Sequence, residues 1–142
     1  MREIKFRAWD DDEKQMLDWD ALLGKDVKDA FDTSWPPLIN VIDPCVCGCT
    51  MKLMQYTGLK DKNGVEIYEG DLIKFTEIDE DSAFGREDTE VVEVKWLEDI
   101  AQFRAIFKSG RRTELHFVVQ LPTVVSCEVI GNIYENPELI DK

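Results

Sequence analysis

The sequence predicts a mainly β protein built as a small barrel or sandwich, and two observations support that prediction. Short runs of β-branched and aromatic residues recur through the second half of the chain at the spacing typical of such folds. Turn signals containing Gly, Asn or Pro separate these runs. Because 142 residues is the usual size of one domain, we expect a single domain, with residues 1–50 as an N-terminal extension and residues 51–142 as the barrel.

The N-terminal stretch predicts a half-buried strand followed by an exposed turn. Residues 3–10 alternate, so that Ile4, Phe6 and Ala8 share one face and the intervening side chains share the other. Residues 10–14, DDDEK, read as the turn. They do not fit a calcium loop, because the glycine and the distant glutamate of such a loop are missing.

A helix is expected next, from about Asp20 to Phe31. Apolar residues recur there at three- and four-residue spacing, and Asp20 is placed to cap the first turn. The motif Trp35-Pro36-Pro37 ends any preceding helix, because proline has no backbone N–H to donate. Residues 38–42 then form a short apolar strand candidate.

The clearest local signal is a hairpin around Asp61-Lys62-Asn63-Gly64. Asn and Gly tolerate the positive backbone angles that tight hairpin turns require. Residues 51–56 should form the strand that enters this hairpin, and Glu69-Gly70-Asp71 marks a second turn. A further β segment starts at Leu72, so the whole region is a small meander.

Further strands are expected at residues 90–96, 103–107, 115–119 and 128–134. The polar stretch 77–88 predicts a solvated loop, since like charges resist packing. Gly131 suggests a bulge or sharp bend in the last strand, which would help to close a small barrel.

The charge of the chain limits its partners. Seventeen basic and thirty acidic residues give a net charge of −13, which repels a phosphate backbone and argues against direct nucleic-acid binding. The basic run 108–112, KSGRR, reads as a hairpin loop kept soluble by charge. No apolar run is long enough to span a bilayer, and the first residues do not resemble a secretion signal. We therefore expect a cytoplasmic protein.

The alternating cysteines Cys45, Cys47 and Cys49 are the most distinctive chemical feature. In an extended segment their thiols would share one face, roughly 7 Å apart from neighbour to neighbour, whereas zinc sites prefer two to four intervening residues. A metal site would need Cys127 or His116 as its fourth ligand. We expect these cysteines to be inert thiols and no cofactor to be bound, with a metal site or a redox or disulfide role as the alternatives.

Two tyrosines flank the hairpin and invite a second functional hypothesis. Tyr56 and Tyr68 could stack on a peptide or a base if their rings were exposed. Core or cross-strand packing is the interpretation that we prefer. A lone strand histidine such as His116 is likewise expected to be a packing or surface residue.

Three blocks spanning the chain resemble a known family: REIKFRAWD at residues 2–10, MQYTGLKDKNG and IYEGD at residues 54–64 and 67–71, and EVIGNIYENPEL at residues 128–139. Together they resemble the YopX family of small bacteriophage and prophage proteins. The resemblance implies a phage or prophage origin and an SH3-like, partly open barrel with an N-terminal strand and a short helical segment packed on it. It implies no activity. Residues 18–50 do not match the family pattern.

The expected function is modest. The sequence has no nucleophile with a base, no phosphate loop and no regular metal spacing, so we identify no catalytic, binding or metal residue and expect no enzyme. We expect a phage or prophage accessory protein that binds an unknown protein partner or associates with itself through exposed strand edges. The alternatives are a small factor stabilised by metal at the cysteines, and an acidic DNA mimic that inhibits a host protein.

Overall fold

The computed structural model describes residues 3–23, 51–79, 85–120 and 122–140, and it confirms the mainly β class. The chain divides into two compact units, residues 1–56 and 57–142. The boundary falls inside one strand, β3 (Met51–Lys60), whose first part belongs to unit 1 and whose last part belongs to unit 2. No helix in the described ranges is long and apolar enough to cross a membrane.

Unit 1 is a small antiparallel sheet with one short helix. Its elements are β1 (Phe6–Asp10), β2 (Gln15–Leu17), α1 (Trp19–Leu22) and the first part of β3. Strand β1 lies between the other two, since Ala8 pairs with Leu17 on one side and with Leu53 on the other. Ala8, Leu17 and Leu22 form the buried core, against which Phe6 and Trp19 pack.

The predicted burial of the first strand is wrong in one respect. Ile4 is exposed, whereas Trp9, assigned to the opposite face, is only 6% exposed, and its indole N–H donates to Asp11 Oδ1 at 3.0 Å. Asp10 is also buried, and its Oδ1 accepts the backbone N–H groups of Asp12 and Glu13 at 2.9 and 3.1 Å. The acidic turn is therefore present, but its first carboxylate is buried and holds the turn.

The helix begins earlier than predicted. Asp18 is the N-cap, since its Oδ1 accepts the N–H of Ala21 at 2.8 Å. Asp20, the predicted cap, lies in the first turn, where a negative charge still suits the helix dipole. The described part of the helix ends at Leu22. The remainder of the predicted helix, Trp35-Pro36-Pro37 and the strand candidate at 38–42 lie outside the described residues.

Unit 2 contains the larger sheet. After β3, its elements are β4 (Glu66–Tyr68), β5 (Asp71–Asp79), β6 (Arg86–Leu97), β7 (Gln102–Phe107), β8 (Arg112–Glu114), α2 (Leu115–Gln120), β9 (Val124–Asn132) and a 3₁₀ helix (Pro137–Leu139). Strand β4 neighbours β3, and five strands form an antiparallel sheet in the order β8-β7-β6-β5-β9. The sheet curls into a half-barrel with β8 and β9 at its edges. This is consistent with the expected partly open barrel.

The inner face of this half-barrel carries the core of unit 2. The strand register places Ile73, Phe75, Val92 and Ala105 on that face, and all of them are buried. The register also confirms the predicted bulge. Leu72 pairs with Gly131 and the next residue, Ile73, pairs with Val129, so that one residue of β9 is left over.

Two local predictions in unit 2 are wrong. Residues 115–119 form the start of helix α2 rather than a strand, because Leu115 and Val118 are buried one helical turn apart. The stretch 77–88 is a loop only in part, since β5 continues to Asp79 and β6 begins at Arg86, and the two strands pair along this length. Charge keeps this hairpin exposed but does not prevent its backbone pairing.

Candidate binding site

The residues proposed for a metal site are not assembled within the described part of the chain. Cys45, Cys47 and Cys49 lie outside the described residues. Cys127 is free and 2% exposed in the core of the sheet, and His116 lies on α2 with its Nδ1 3.2 Å from Glu114 Oε2. Within residues 3–23, 51–79, 85–120 and 122–140, no group of three His, Cys, Asp or Glu side chains is placed to hold a metal ion.

The environment of Cys127 makes it a poor ligand or nucleophile. Burial, and after it the negative charges of Asp61 and Glu128, raise the pKa of this thiol from 9.0 to about 11, against the opposing effect of Lys62. The thiolate is the form that binds metals and attacks electrophiles. Near neutral pH the side chain therefore behaves as a small apolar residue.

The two tyrosines pack rather than present a stacking surface. Tyr56 is 4% and Tyr68 is 8% exposed. In unit 1, Lys5 Nζ lies 5.7 Å from the centre of the Tyr56 ring. In unit 2, the hydroxyl of Tyr68 donates to Glu66 Oε2 at 2.9 Å. The packing interpretation is confirmed.

The hairpin motif at residues 61–64 is organised by the buried carboxylate of Asp61. Its Oδ1 accepts the N–H groups of Asn63 and Val65 at 2.8 and 2.9 Å. Its Oδ2 accepts the N–H of Val129, in strand β9, at 3.0 Å. Lys62 adds a backbone N–H to the carbonyl of Cys127 at 3.2 Å, so this motif fixes the hairpin to the edge strand β9.

The second turn motif has the same kind of role. Asp71 is fully buried, and its Oδ2 accepts the N–H of Tyr68 at 2.7 Å. Gly70, at a φ of 79°, donates its N–H to Val94 and accepts from Ile133. A positive φ is inexpensive only for glycine. These two motifs therefore hold the fold together, and neither is an open site.

An open pocket lies on the inner face of the half-barrel, and sequence reasoning missed it. Its apolar lining comes from four elements: Phe75 of β5, Phe107 of β7, Val118 of α2 and Val124 of β9, with Thr113 of β8 beside them. The cavity measures about 260 Å³. We call it the Phe75–Phe107 pocket, after the two rings, which meet edge to face with centroids 5.8 Å apart.

Two opposite charges lie at the rim of this pocket. Glu77 accepts a hydrogen bond from the hydroxyl of Thr123 at 3.2 Å. Arg111 places its guanidinium carbon 3.7 Å from the centre of the Phe107 ring and forms a 3.2 Å ion pair with Glu90. The cation therefore covers one face of the Phe107 ring.

The rim is acidic on the side of β5 and β6. Glu90 pairs across the strands with Phe75, and Asp88 pairs with Glu77. Residues directly opposite each other on paired strands point to the same face, so both carboxylates lie on the face that carries the pocket. The sequence contains one signal for this site, the alternation of acidic residues in β5 and β6. That these residues share a face follows only when the pairing of the two strands is known.

The basic run 108–112 belongs to a hairpin turn, as expected. It joins β7 to β8, with Gly110 at a φ of 82°. Arg111 is paired with Glu90, and Arg112 lies 3.6 Å from Asp99. Acidic neighbours offset both charges, so this turn is not a free cationic patch.

Fold and pocket together define a small mainly β protein with a pocket on one face of its larger sheet. The chain belongs to the YopX family: the family model described as YopX protein matches residues 5–141. Among solved structures it is similar to protein EF1440 from Enterococcus faecalis, with 28% sequence identity, a TM-score of 0.58 and 99% of each chain covered. A comparison with curated proteins finds no relative.

Proposed function

We propose that this protein is a non-catalytic accessory protein of phage or prophage origin. It acts in the bacterial cytoplasm by binding another protein, one apolar side chain of which enters the Phe75–Phe107 pocket. The pocket itself is the observation that supports the proposal. It is lined by apolar groups from four elements and opens between charged residues, which is the usual composition of a recognition site.

The size of the pocket favours a single side chain over a free small molecule. Sites for whole small molecules are usually ~300–1,000 Å³, whereas this cavity is about 260 Å³. An apolar cavity of ~150 Å³ already accepts a benzene-sized group. A Phe or Leu side chain therefore fits, with room for part of its backbone at the mouth.

The acidic residues near the pocket favour a partner in which a basic residue stands beside the apolar side chain. Glu77 lines the pocket, and Asp88 and Glu90 lie on the same face of the sheet. Arg111 is already paired with Glu90. The whole chain carries −13, so a basic partner is attracted at long range as well.

The test measures binding of the peptide acetyl-Lys-Phe-Lys-amide by NMR titration of the ¹⁵N-labelled protein. We expect shifts of the amide signals of Thr113, Val118 and Val124. The variant Thr113→Trp places an indole in the pocket and should weaken binding at least ~10-fold. The matched control Val65→Trp adds the same indole to the exposed hairpin turn and should bind like the original protein.

Two results would overturn the proposal. One is equal binding by both tryptophan variants, because the peptide would then lie elsewhere. The other is the absence of any shift at millimolar peptide while the spectrum shows a folded protein. Replacing Phe by Ala in the peptide should abolish the shifts at Val118 and Val124 while leaving weak electrostatic contacts.

A further inference from the structure

We infer that the partner binds as an added β-strand along the free edge of β6 at residues 86–91, and that its segment is extended and basic. This inference rests on the proposed function, since it specifies the segment that delivers a side chain to the Phe75–Phe107 pocket.

Among the described residues this edge of β6 has no partner strand, because β6 is longer than its neighbour β7. Strand β6 has 12 residues and β7 has 6. The pairing between them ends at Val92 and Phe107. In the part of the chain that the structure describes, no strand pairs with β6 on this side between residues 86 and 91.

The hydrogen bonding of β5 shows which backbone groups of β6 face this edge. Ile78 donates its N–H to Thr123, on the side of β9, so its backbone points away from β6. Its cross-strand partner Glu87 must then point away from β5, because in an antiparallel ladder both members of a non-hydrogen-bonded pair face outward.

The same holds two residues further along the hairpin. Thr76 pairs with Thr89, and their hydroxyl oxygens approach to 2.9 Å, which suits the closer side chains of a non-hydrogen-bonded pair. The N–H and C=O groups of Glu87 and Thr89 therefore form a ready edge for an incoming strand.

An added strand would extend the line of β7 beyond Phe107. Every second side chain of it would point to the inner face, where Asp88 and Glu90 lie. The inner side chain nearest to Phe107 would enter the pocket. The next one along would lie opposite Asp88 and close to Glu77, which is where a lysine or arginine is favoured.

Charge decides between a partner of opposite sign and a second copy of this chain. The exposed part of the edge carries Arg86 against Glu87, Asp88 and Glu90. Two such edges side by side would set like charges against one another, which is destabilising between strands. A lysine-rich segment would reverse that interaction, so a basic partner is the occupant that we infer.

The first experiment uses the octapeptide acetyl-Lys-Phe-Val-Lys-Lys-Val-Lys-Thr-amide, in which Phe and the lysine two residues after it point to the same face, and amide hydrogen exchange read by NMR. Bound peptide should slow exchange at Glu87 and Thr89 at least ~10-fold, because both N–H groups gain a partner. Thr89→Pro removes one of these donors and should weaken binding ~10-fold. Thr89→Val is the matched control: it also loses the hydroxyl contact to Thr76 but keeps the N–H, so it should bind normally.

A second pair of variants tests the role of charge. The double variant Glu87→Gln, Asp88→Asn removes two charges from the edge and should weaken binding and flatten its salt dependence. The double variant Asp12→Asn, Glu13→Gln removes the same charge from an exposed turn of unit 1 and should have little effect. An octapeptide with Glu in place of each Lys should not bind.

The outcomes separate this inference from the proposed function. If Thr113→Trp blocks the octapeptide but Thr89→Pro does not, the pocket binds a side chain and strand addition is wrong. If Thr89→Pro blocks it and Thr113→Trp does not, strand addition stands and the pocket proposal falls. If the protein instead forms a dimer that Thr89→Pro dissociates and Thr89→Val does not, the occupant is a second copy and the basic partner is excluded.

Discussion

Replacing Asp61 should destabilise unit 2 more than any other single change in the hairpin. The carboxylate is 7% exposed and accepts three backbone N–H groups, from Asn63, Val65 and Val129. Asp61→Ala leaves all three donors without this partner. Asp61→Asn keeps one accepting oxygen, but its NH₂ group cannot accept a hydrogen bond. Either Val129 or the two turn residues, Asn63 and Val65, therefore lose their acceptor.

The expected loss follows from where the donors lie. A hydrogen bond to a charged group contributes about 1.5–3 kcal/mol, and the full value applies at Val129, which is half-buried within β9. Asn63 and Val65 are exposed, so water can accept a hydrogen bond from their N–H groups when Asp61 is removed. Each lost bond should therefore lower the free energy of unfolding by only about 0.5–1 kcal/mol. We expect Asp61→Ala to lower the free energy of unfolding by about 2.5–5 kcal/mol and Asp61→Asn, which keeps one accepting oxygen, by about 1–3 kcal/mol.

Urea denaturation followed by far-ultraviolet circular dichroism measures this loss. Asn63→Ala is the control, because it changes an exposed side chain of the same turn and should cost less than about 0.5 kcal/mol. A loss below about 0.5 kcal/mol for Asp61→Ala would refute the argument, since the three hydrogen bonds would then contribute nothing.

Three further predictions concern Cys127, the bulge in β9 and helix α2. The pKa of Cys127 is raised from 9.0 to about 11, so the free energy of unfolding should not depend on this thiol below pH 9 and should fall by about 2 kcal/mol as the pH rises towards 11. Cys127→Ala should remove this pH dependence from the free energy measured by urea unfolding. Gly131→Ala would place a Cβ 2.8 Å from Cγ of Asn136 and should cost about 1–3 kcal/mol. Asn136→Ala should recover part of that loss in a double-mutant cycle, and additive costs would contradict the clash. In α2, Val118→Ala should cost about 1–2 kcal/mol in unfolding free energy and His116→Ala close to none; equal costs would contradict the helical face.

The sequence predicted the hairpin region well because its signals are local. Gly64 adopts the predicted positive φ, at 83°, and Gly70 does the same in the next turn, at 79°, whereas Asn63 does not. That Asp61 would reach Val129, 68 residues along the chain, could not be foreseen, because local preferences carry no information about distant partners.

The errors arose where distant contacts or competing local signals decide the structure. Residues 115–119 have β-branched and aromatic side chains that favour strands, but packing of Leu115 and Val118 into the core selects a helix. In the acidic stretch, the run of like charges predicts a loop, but cross-strand pairing extends β5 to Asp79. Asp18 and Asp20 are equally good caps by residue type, so composition could not choose between them.

The pocket also depends on contacts between residues that are far apart in the sequence, so the sequence alone does not reveal it. Phe75, Phe107, Val118 and Val124 meet only because the sheet curls and α2 packs against it. The hypothesis of a metal site at the cysteines depends on residues that are close together in the sequence, so the sequence alone suggests it. The sequence also shows the acidic residues of β5 and β6, but it predicts that they form a solvated loop. Their pairing places them beside an apolar cavity and along a part of β6 that has no partner strand among the described residues. This placement is the reason why we propose a basic, extended partner.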